Sequence, residues 1–303
     1  MKSKKFSFLI YFICLIIFCA GCGKKEGTRE GSTRFNNISV EITDEDNDIL
    51  FAHDKEKFFM QTVEPFWGNY AVYEGKIYCV SYQEGSSGLL PGEGTYTIYW
   101  EDLRDSENKK EILELTGMEN GEDIQDAFIN EGMLYCSWKT REEEIKSAVV
   151  ELESGTVTEF SVPSGRRVEA VTSSGYYYID AGKIYFVKFK NAKEKLFLEM
   201  EEQVQGLYRD GEDLCAFTEQ DSGISMLVLD KKGKVQKRYD GLEKVEGLQK
   251  GTAPVLLREK QGILYYIMTA KKEGTSYNTW LIRADLEGGT RENCGGWYTP
   301  VSE

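Results

Sequence analysis

A repeat constrains this chain more than any single motif. A short apolar strand, a turn containing glycine and a second strand recur five times: GNYAVYEGKIYCV at 68–80, DAFINEGMLYCS at 126–137, GYYYIDAGKIYFV at 175–187, GLYRDGEDLCA at 206–216 and LLREKQGILYYI at 256–267. Anchored on Gly75, Gly132, Gly182, Gly211 and Gly262, the third following position reads Tyr78, Tyr135, Tyr185, Leu214 and Tyr265. The fourth reads Cys79, Cys136, Phe186, Cys215 and Tyr266. Most of these turn pairs place glycine where positive φ is wanted between β-forming residues. A second hairpin follows several anchors, at 97–115, 148–162, 226–240 and 280–293. Two hairpins make four antiparallel strands, and the anchors stand 57, 50, 29 and 51 residues apart. Units of ~40–50 residues with four strands are propeller blades.

The strand-turn-Gly-x-Ile-Tyr unit resembles the six-bladed, TolB-like propeller repeats of many bacterial surface lipoproteins, including families with no assigned function. The resemblance covers roughly residues 65–295 and carries no functional residue across. It implies an all-β fold, a β-propeller of five or six four-stranded antiparallel blades, one of them irregular. The 29-residue step before Gly211 is the place for that irregularity, through a missing strand or a compressed outer hairpin. A β-sandwich with look-alike hairpins is the alternative. Strand alternation would turn the third and fourth positions after each glycine to opposite blade faces, both buried. Residues 49–64 read as two further strands and Gly295–Glu303 as the start of another; pairing the two ends in one composite blade would close the ring.

The chain opens with Met-Lys-Ser-Lys-Lys, an apolar run from Phe6 to Ala20, then Gly21-Cys22. That is a basic region, an apolar region of signal-peptide length and a small-residue cleavage site. Fifteen residues rise only ~22 Å as a helix, short of the ~30 Å hydrocarbon core. Ala20-Gly21-Cys22 resembles the lipobox of bacterial lipoproteins, with Cys19 where that pattern prefers Leu. The resemblance implies a diacylated, palmitate-bearing Cys22 as the lipid attachment site, and an extracytoplasmic protein anchored to the membrane at the cell surface. The expected organisation is a signal peptide at 1–21, a polar, Gly/Ser/Thr-rich flexible tether at 22–48 and one propeller domain at 49–303.

Several chemistries are disfavoured. A formal charge of −14 repels a phosphate backbone, so no nucleic-acid partner is expected. One histidine, His53, leaves little for His-rich metal sites or a Ser-His-Asp triad. Asp44-x-Asp46-x-Asp48 opens like a calcium loop, but Ile49 and Lys55 stand where Gly and Glu are required, so it reads as solvated linker. Cys79, Cys136 and Cys215 share a repeat position with Phe186 and Tyr266 and read as buried, unpaired hydrophobes rather than disulfide or zinc ligands. No metal or cofactor is called for. The basic cluster Lys231-Lys232-Gly233-Lys234 straddles a hairpin turn and reads as a solvated edge. The glycine-rich run 84–94 lacks a P-loop lysine; as a long loop on a rigid scaffold it offers Ser86, Ser87 and Leu89 as ligand-binding candidates.

These features point to a lipid-anchored binding or interaction module for a protein, peptide or glycan, rather than an enzyme. The alternatives are a secreted hydrolase or lyase using carboxylates at the channel mouth, and the substrate-binding lipoprotein of a transporter. The last generally resembles a two-lobed α/β protein, and no long amphipathic helices are evident.

Overall fold

The computed structural model describes residues 70–297 apart from 85–93, 104, 106, 119–122, 222, 250–253 and 273–278, together with strand residues 27–28, 39–43, 49–54 and 57–60. Each stretch of the repeat folds into its own four-stranded antiparallel sheet, and five such blades make a β-propeller. Blade one holds β5 (Tyr70–Tyr73), β6 (Lys76–Glu84), β7 (Gly94–Asp102) and β8 (Lys109–Glu114). Blade two holds β9 (Ile124–Asn130), β10 (Met133–Lys139), β11 (Ile145–Glu151) and β12 (Thr156–Phe160). Blade three holds β13 (Ala170–Thr172), β14 (Gly175–Asp180), β15 (Lys183–Lys188) and β16 (Glu194–Glu199). Blade four holds β17 (Gln203–Asp210), β18 (Asp213–Gln220), β19 (Gly223–Leu229) and β20 (Val235–Asp240). Blade five holds β21 (Val255–Lys260), β22 (Ile263–Thr269), β23 (Thr279–Asp285) and β24 (Thr290–Trp297).

A further four-stranded sheet precedes them: β1 (Gly27–Thr28), β2 (Ser39–Thr43), β3 (Ile49–Asp54) and β4 (Lys57–Met60). Its last two strands lie against β5, and β1 and β2 fall within the segment whose composition reads as a tether. Among the described residues the composite blade expected from the two chain ends does not form. β3 and β4 pair within this N-terminal sheet, and all four strands of blade five come from 255–297. Separate blades also rule out the sandwich.

First strands of successive blades lie against one another (β5 on β9, β13 on β17, β17 on β21), which puts them nearest the axis. The fourth strands β8, β12, β16 and β20 are mostly exposed and form the rim.

The anchoring glycines are not all equivalent. Gly75, Gly132 and Gly262 (φ +70°, +69° and +82°) follow Glu74, Glu131 and Gln261, themselves at φ +47°, +49° and +54°. Two positive-φ residues make the type I′ turn that matches strand twist, and each joins a first strand to a second. Gly211 (φ +54°) takes the first central position of its turn instead, so its strand is offset by one residue. Leu214 therefore corresponds to Ile77 and Leu134, not to the tyrosines, and Cys215 takes the tyrosine position.

Gly182 differs more. It joins β14 to β15, the second and third strands of its blade. The first hairpin of that blade turns at residues 173–174, where the Thr172 hydroxyl accepts hydrogen bonds from the Ser174 and Gly175 amides, each at 3.1 Å. A side-chain hydroxyl does there what glycine does elsewhere. No strand is missing. The 29-residue step is the distance between turns on opposite faces of the disc.

In this register the period-two rule holds in blades two to five. Leu134 and Cys136 pack into the interface with blade one, while Tyr135 between them packs into the interface with blade three. Tyr176 and Tyr178 face back to blade two, and Tyr177 packs forward against blade four. Leu214 and Ala216 face back, Cys215 forward; Leu264 and Tyr266 face back, Tyr265 away. Tyr185 and Phe186, on a third strand, are only half-buried. Cys79, Cys136 and Cys215 are buried thiols, and burial pushes the latter two well above the usual thiol range.

Candidate functional site

Antiparallel order gives the disc two unlike faces. Every first-to-second connection is two residues long (74–75, 131–132, 173–174, 211–212, 261–262) and emerges on one face, with the third-to-fourth hairpins. The other face carries 85–93, 140–144 and 270–278 and the blade-to-blade connections 115–123, 161–169 and 241–254.

On the short-turn face a polar belt ties the blades together around the axis. The Gly132 amide of blade two donates to the Tyr73 hydroxyl of blade one at 3.0 Å. Asn130, 2% exposed, donates through Nδ2 to the Arg209 carbonyl (3.1 Å) and accepts through Oδ1 from the Arg209 amide (2.9 Å). This bond links blade two directly to blade four, because β13 between them is only three residues long. The Arg209 guanidinium meanwhile donates to the Val171 carbonyl of blade three and the Gly211 carbonyl. Glu131 accepts from the Gly211 amide and the Tyr208 hydroxyl. Asp210 and Glu259 share a hydrogen bond between blades four and five, and Glu259 Oε1 also accepts from the Gly262 amide at 2.8 Å.

Electrostatics follow from this crowding of carboxyls. Burial, then the hydrogen bond and charge of Asp210, push the Glu259 carboxyl up to about 7, against the lowering effect of the Gly262 amide and Lys237. Burial also raises Glu131, with Asp210 adding to it. An acid whose native pKa lies above its unfolded value stabilises the fold most below the unfolded value, and that stability is lost as pH rises through the native one. The urea midpoint is therefore expected to fall between about pH 5 and pH 8. Glu259→Gln should flatten that fall; a wild-type midpoint that is level or rises across this window would refute the assignment.

The long-loop face holds a depression of ≈ 560 Å³ lined by Glu243, Lys244, Val245, Glu246 and Leu248, in the connection between blades four and five. Three tight backbone bonds shape it: Lys244 N to Gly241 O, Val245 N to Glu243 O, and Leu248 N to Val245 O. Leu242 and Val245 root the loop in the interface core, where the Tyr266 hydroxyl donates to the Leu242 carbonyl at 2.6 Å. Little in the sequence marks this site, since Glu243-Lys244 reads as ordinary surface charge.

Of the residues singled out from sequence, Cys22, Ser86, Ser87 and Leu89 lie outside the described residues, as does the Asp44–Asp48 run. His53 lies in β3. Lys231, Lys232 and Lys234 are exposed in the turn of the β19–β20 hairpin, which folds around Asp230 Oδ1, acceptor for the amides of Lys232 and Lys234, while Gly233 is buried.

No family model matches the chain, and no curated protein compared with it matches. Among solved structures, a prolyl endopeptidase matches 85% of this chain and 38% of its own, at 14% identity and a TM-score of 0.44. A puromycin-hydrolyzing peptidase of Mycobacterium tuberculosis matches 88% of this chain and 44% of its own, at 13% identity and a TM-score of 0.45. A TolB-type protein of Agrobacterium tumefaciens matches 68% of this chain and 77% of its own, at 11% identity and a TM-score of 0.43. The chain spans less than half the length of the two peptidases. The propeller assignment rests on the sheet order and strand pairing of the chain itself.

Proposed function

We propose that the protein is a lipid-anchored, extracytoplasmic bacterial binding module, tethered through Cys22, that recognises a protein, peptide or glycan through its long-loop face. The unlike faces carry this reading. On the short-turn face the axial polar groups bond from blade to blade, whereas the other face spreads long connections over a rigid disc. Loops of that kind on rigid scaffolds are where recognition residues gather. The carboxylates that an axial hydrolase or lyase would use are Glu131, Asp210 and Glu259, and each is engaged in holding blades together. The described residues form no α-helix, so a two-lobed α/β transporter receptor is not this fold.

A photo-cross-linker placed at Ser164, in the 161–169 connection, should capture a partner on intact cells; one placed at Lys232, in the opposite hairpin turn, should not. Capture from Lys232 alone, or from neither, refutes the proposal. For the anchor, Cys22→Ala should abolish palmitate labelling and release the protein from the membrane fraction. Persistent labelling of the variant, or none of the wild type, refutes lipidation at Cys22.

A further inference from the structure

We infer that the depression at 243–248 binds the ammonium group of a lysine side chain presented by a peptide or protein partner, with the Glu243 carboxylate as its counter-ion. The inference rests on the long-loop face being the binding surface and assigns a chemistry to it.

Glu243 is only 5% exposed, yet it lines the open depression. Its Oε2 accepts a hydrogen bond from the Ile224 amide at 2.9 Å, which fixes the carboxylate at the start of β19. A carboxylate so far from water needs a cation or several donors to offset its lost hydration. Among the described residues no lysine or arginine makes an ion pair with it, and the Ile224 amide is the one hydrogen-bond donor it has. Two cations stand near it without pairing with it. Lys244, which also lines the depression, folds back over Gly241, where its charge acts on Asp240. Arg291 and Glu243 both act on the Tyr266 phenol; Arg291 donates through Nη2 to the Asp240 carbonyl at 2.7 Å, and its buried Nε has no hydrogen-bond partner. Glu246 lines the same depression, adding a second negative charge.

Space is reserved for this carboxylate. Gly223 sits at φ +132°, and a Cβ there would fall 2.5 Å from Glu243 Oε1. A side chain at 223 would collide with the charged group, so the glycine leaves it room. Val245 and Leu248 give the depression apolar walls beside the carboxylate. A lysine fits both requirements: its methylene stem lies along apolar surface while its ammonium reaches a carboxylate. An open depression of this kind suits a side chain projecting from a larger partner.

The test follows the Ile224 amide by NMR, since that N–H bonds directly to the carboxylate. Titration with Nα-acetyl-lysine methylamide should give a saturable shift at Ile224 and across 243–248. Neutral Nα-acetyl-norleucine methylamide should give none. Glu243→Gln, which can still accept from Ile224, should weaken lysine binding roughly tenfold or more, the effect of losing one charged hydrogen bond. If that variant loses its folded spectrum, Glu246→Gln and the lysine–norleucine comparison on the wild type still decide the matter. The inference is overturned by no saturable shift up to concentrations on the order of 10 mM, by equal norleucine binding, or by tighter binding of 1,5-diaminopentane, which would assign the site to free amines. Loss of lysine binding while cross-linking from Ser164 persists removes this inference alone. Loss of both removes the binding face as well.

Discussion

Replacing Tyr135 with alanine should cost roughly 3–5 kcal/mol of stability, read as a lowered urea midpoint at unchanged slope. The ring is 2% exposed and stands between blades two and three, with Phe128 at 5.0 Å and Phe160 at 6.1 Å between centroids. Removing it leaves a void that the rigid strand backbones on both sides cannot close, so the cavity cost adds to the lost burial. Tyr185 makes the useful contrast. It stacks on Tyr178 at 5.0 Å but is half-buried on a third strand, so Tyr185→Ala should cost clearly less. Equal losses at the two positions would show that the blade assignment of Gly182 is wrong.

Asn130→Ala is expected to have the second largest effect. The substitution strips partners from both the amide and the carbonyl of Arg209, at a site almost closed to water. Leaving a buried backbone group unsatisfied costs ~1–3 kcal/mol, so two should cost roughly 2–6 kcal/mol. Asn130→Asp should be no milder, because a carboxylate cannot donate to the Arg209 carbonyl. Hydrogen exchange at the Arg209 amide gives an independent reading: its protection should fall in Asn130→Ala more than that of amides within β10. Unchanged protection with unchanged stability would mean that the belt contributes nothing.

The fold was legible in the sequence because glycine turns repeat with the strands they join, and alternation follows from backbone geometry. Register was legible only in part. Gly211 looks like its counterparts, but a glycine can occupy either central position of a hairpin turn, and the choice moves every following side chain by one residue. The Thr172–Ser174 turn carries no glycine signature because its bonds go to a hydroxyl. Gly182, in turn, has the expected local pattern in the wrong place within its blade; local sequence specifies the turn but not which strands it separates. The candidate site was least legible. Asn130 and Arg209 are 79 residues apart, and Glu243 meets Ile224 across 19. Neither pairing leaves a spacing signature.

Each blade is one unbroken length of chain, and this bears on how the molecule reaches its final form. Pairing within a blade requires only short loops to close, so a sheet can assemble as soon as its own residues are available. Blades can then be added one after another as the chain grows, each burying its aromatic face on the one before. The Asn130–Arg209 bond must wait until blade four is in place, and the Asp210–Glu259 bond until blade five. These two bonds of the axial belt are thus late events, a latch set after the stack is built. A chain interrupted after blade three would hold the N-terminal sheet and three blades without either of these bonds, and its last hydrophobic face would be open to other chains.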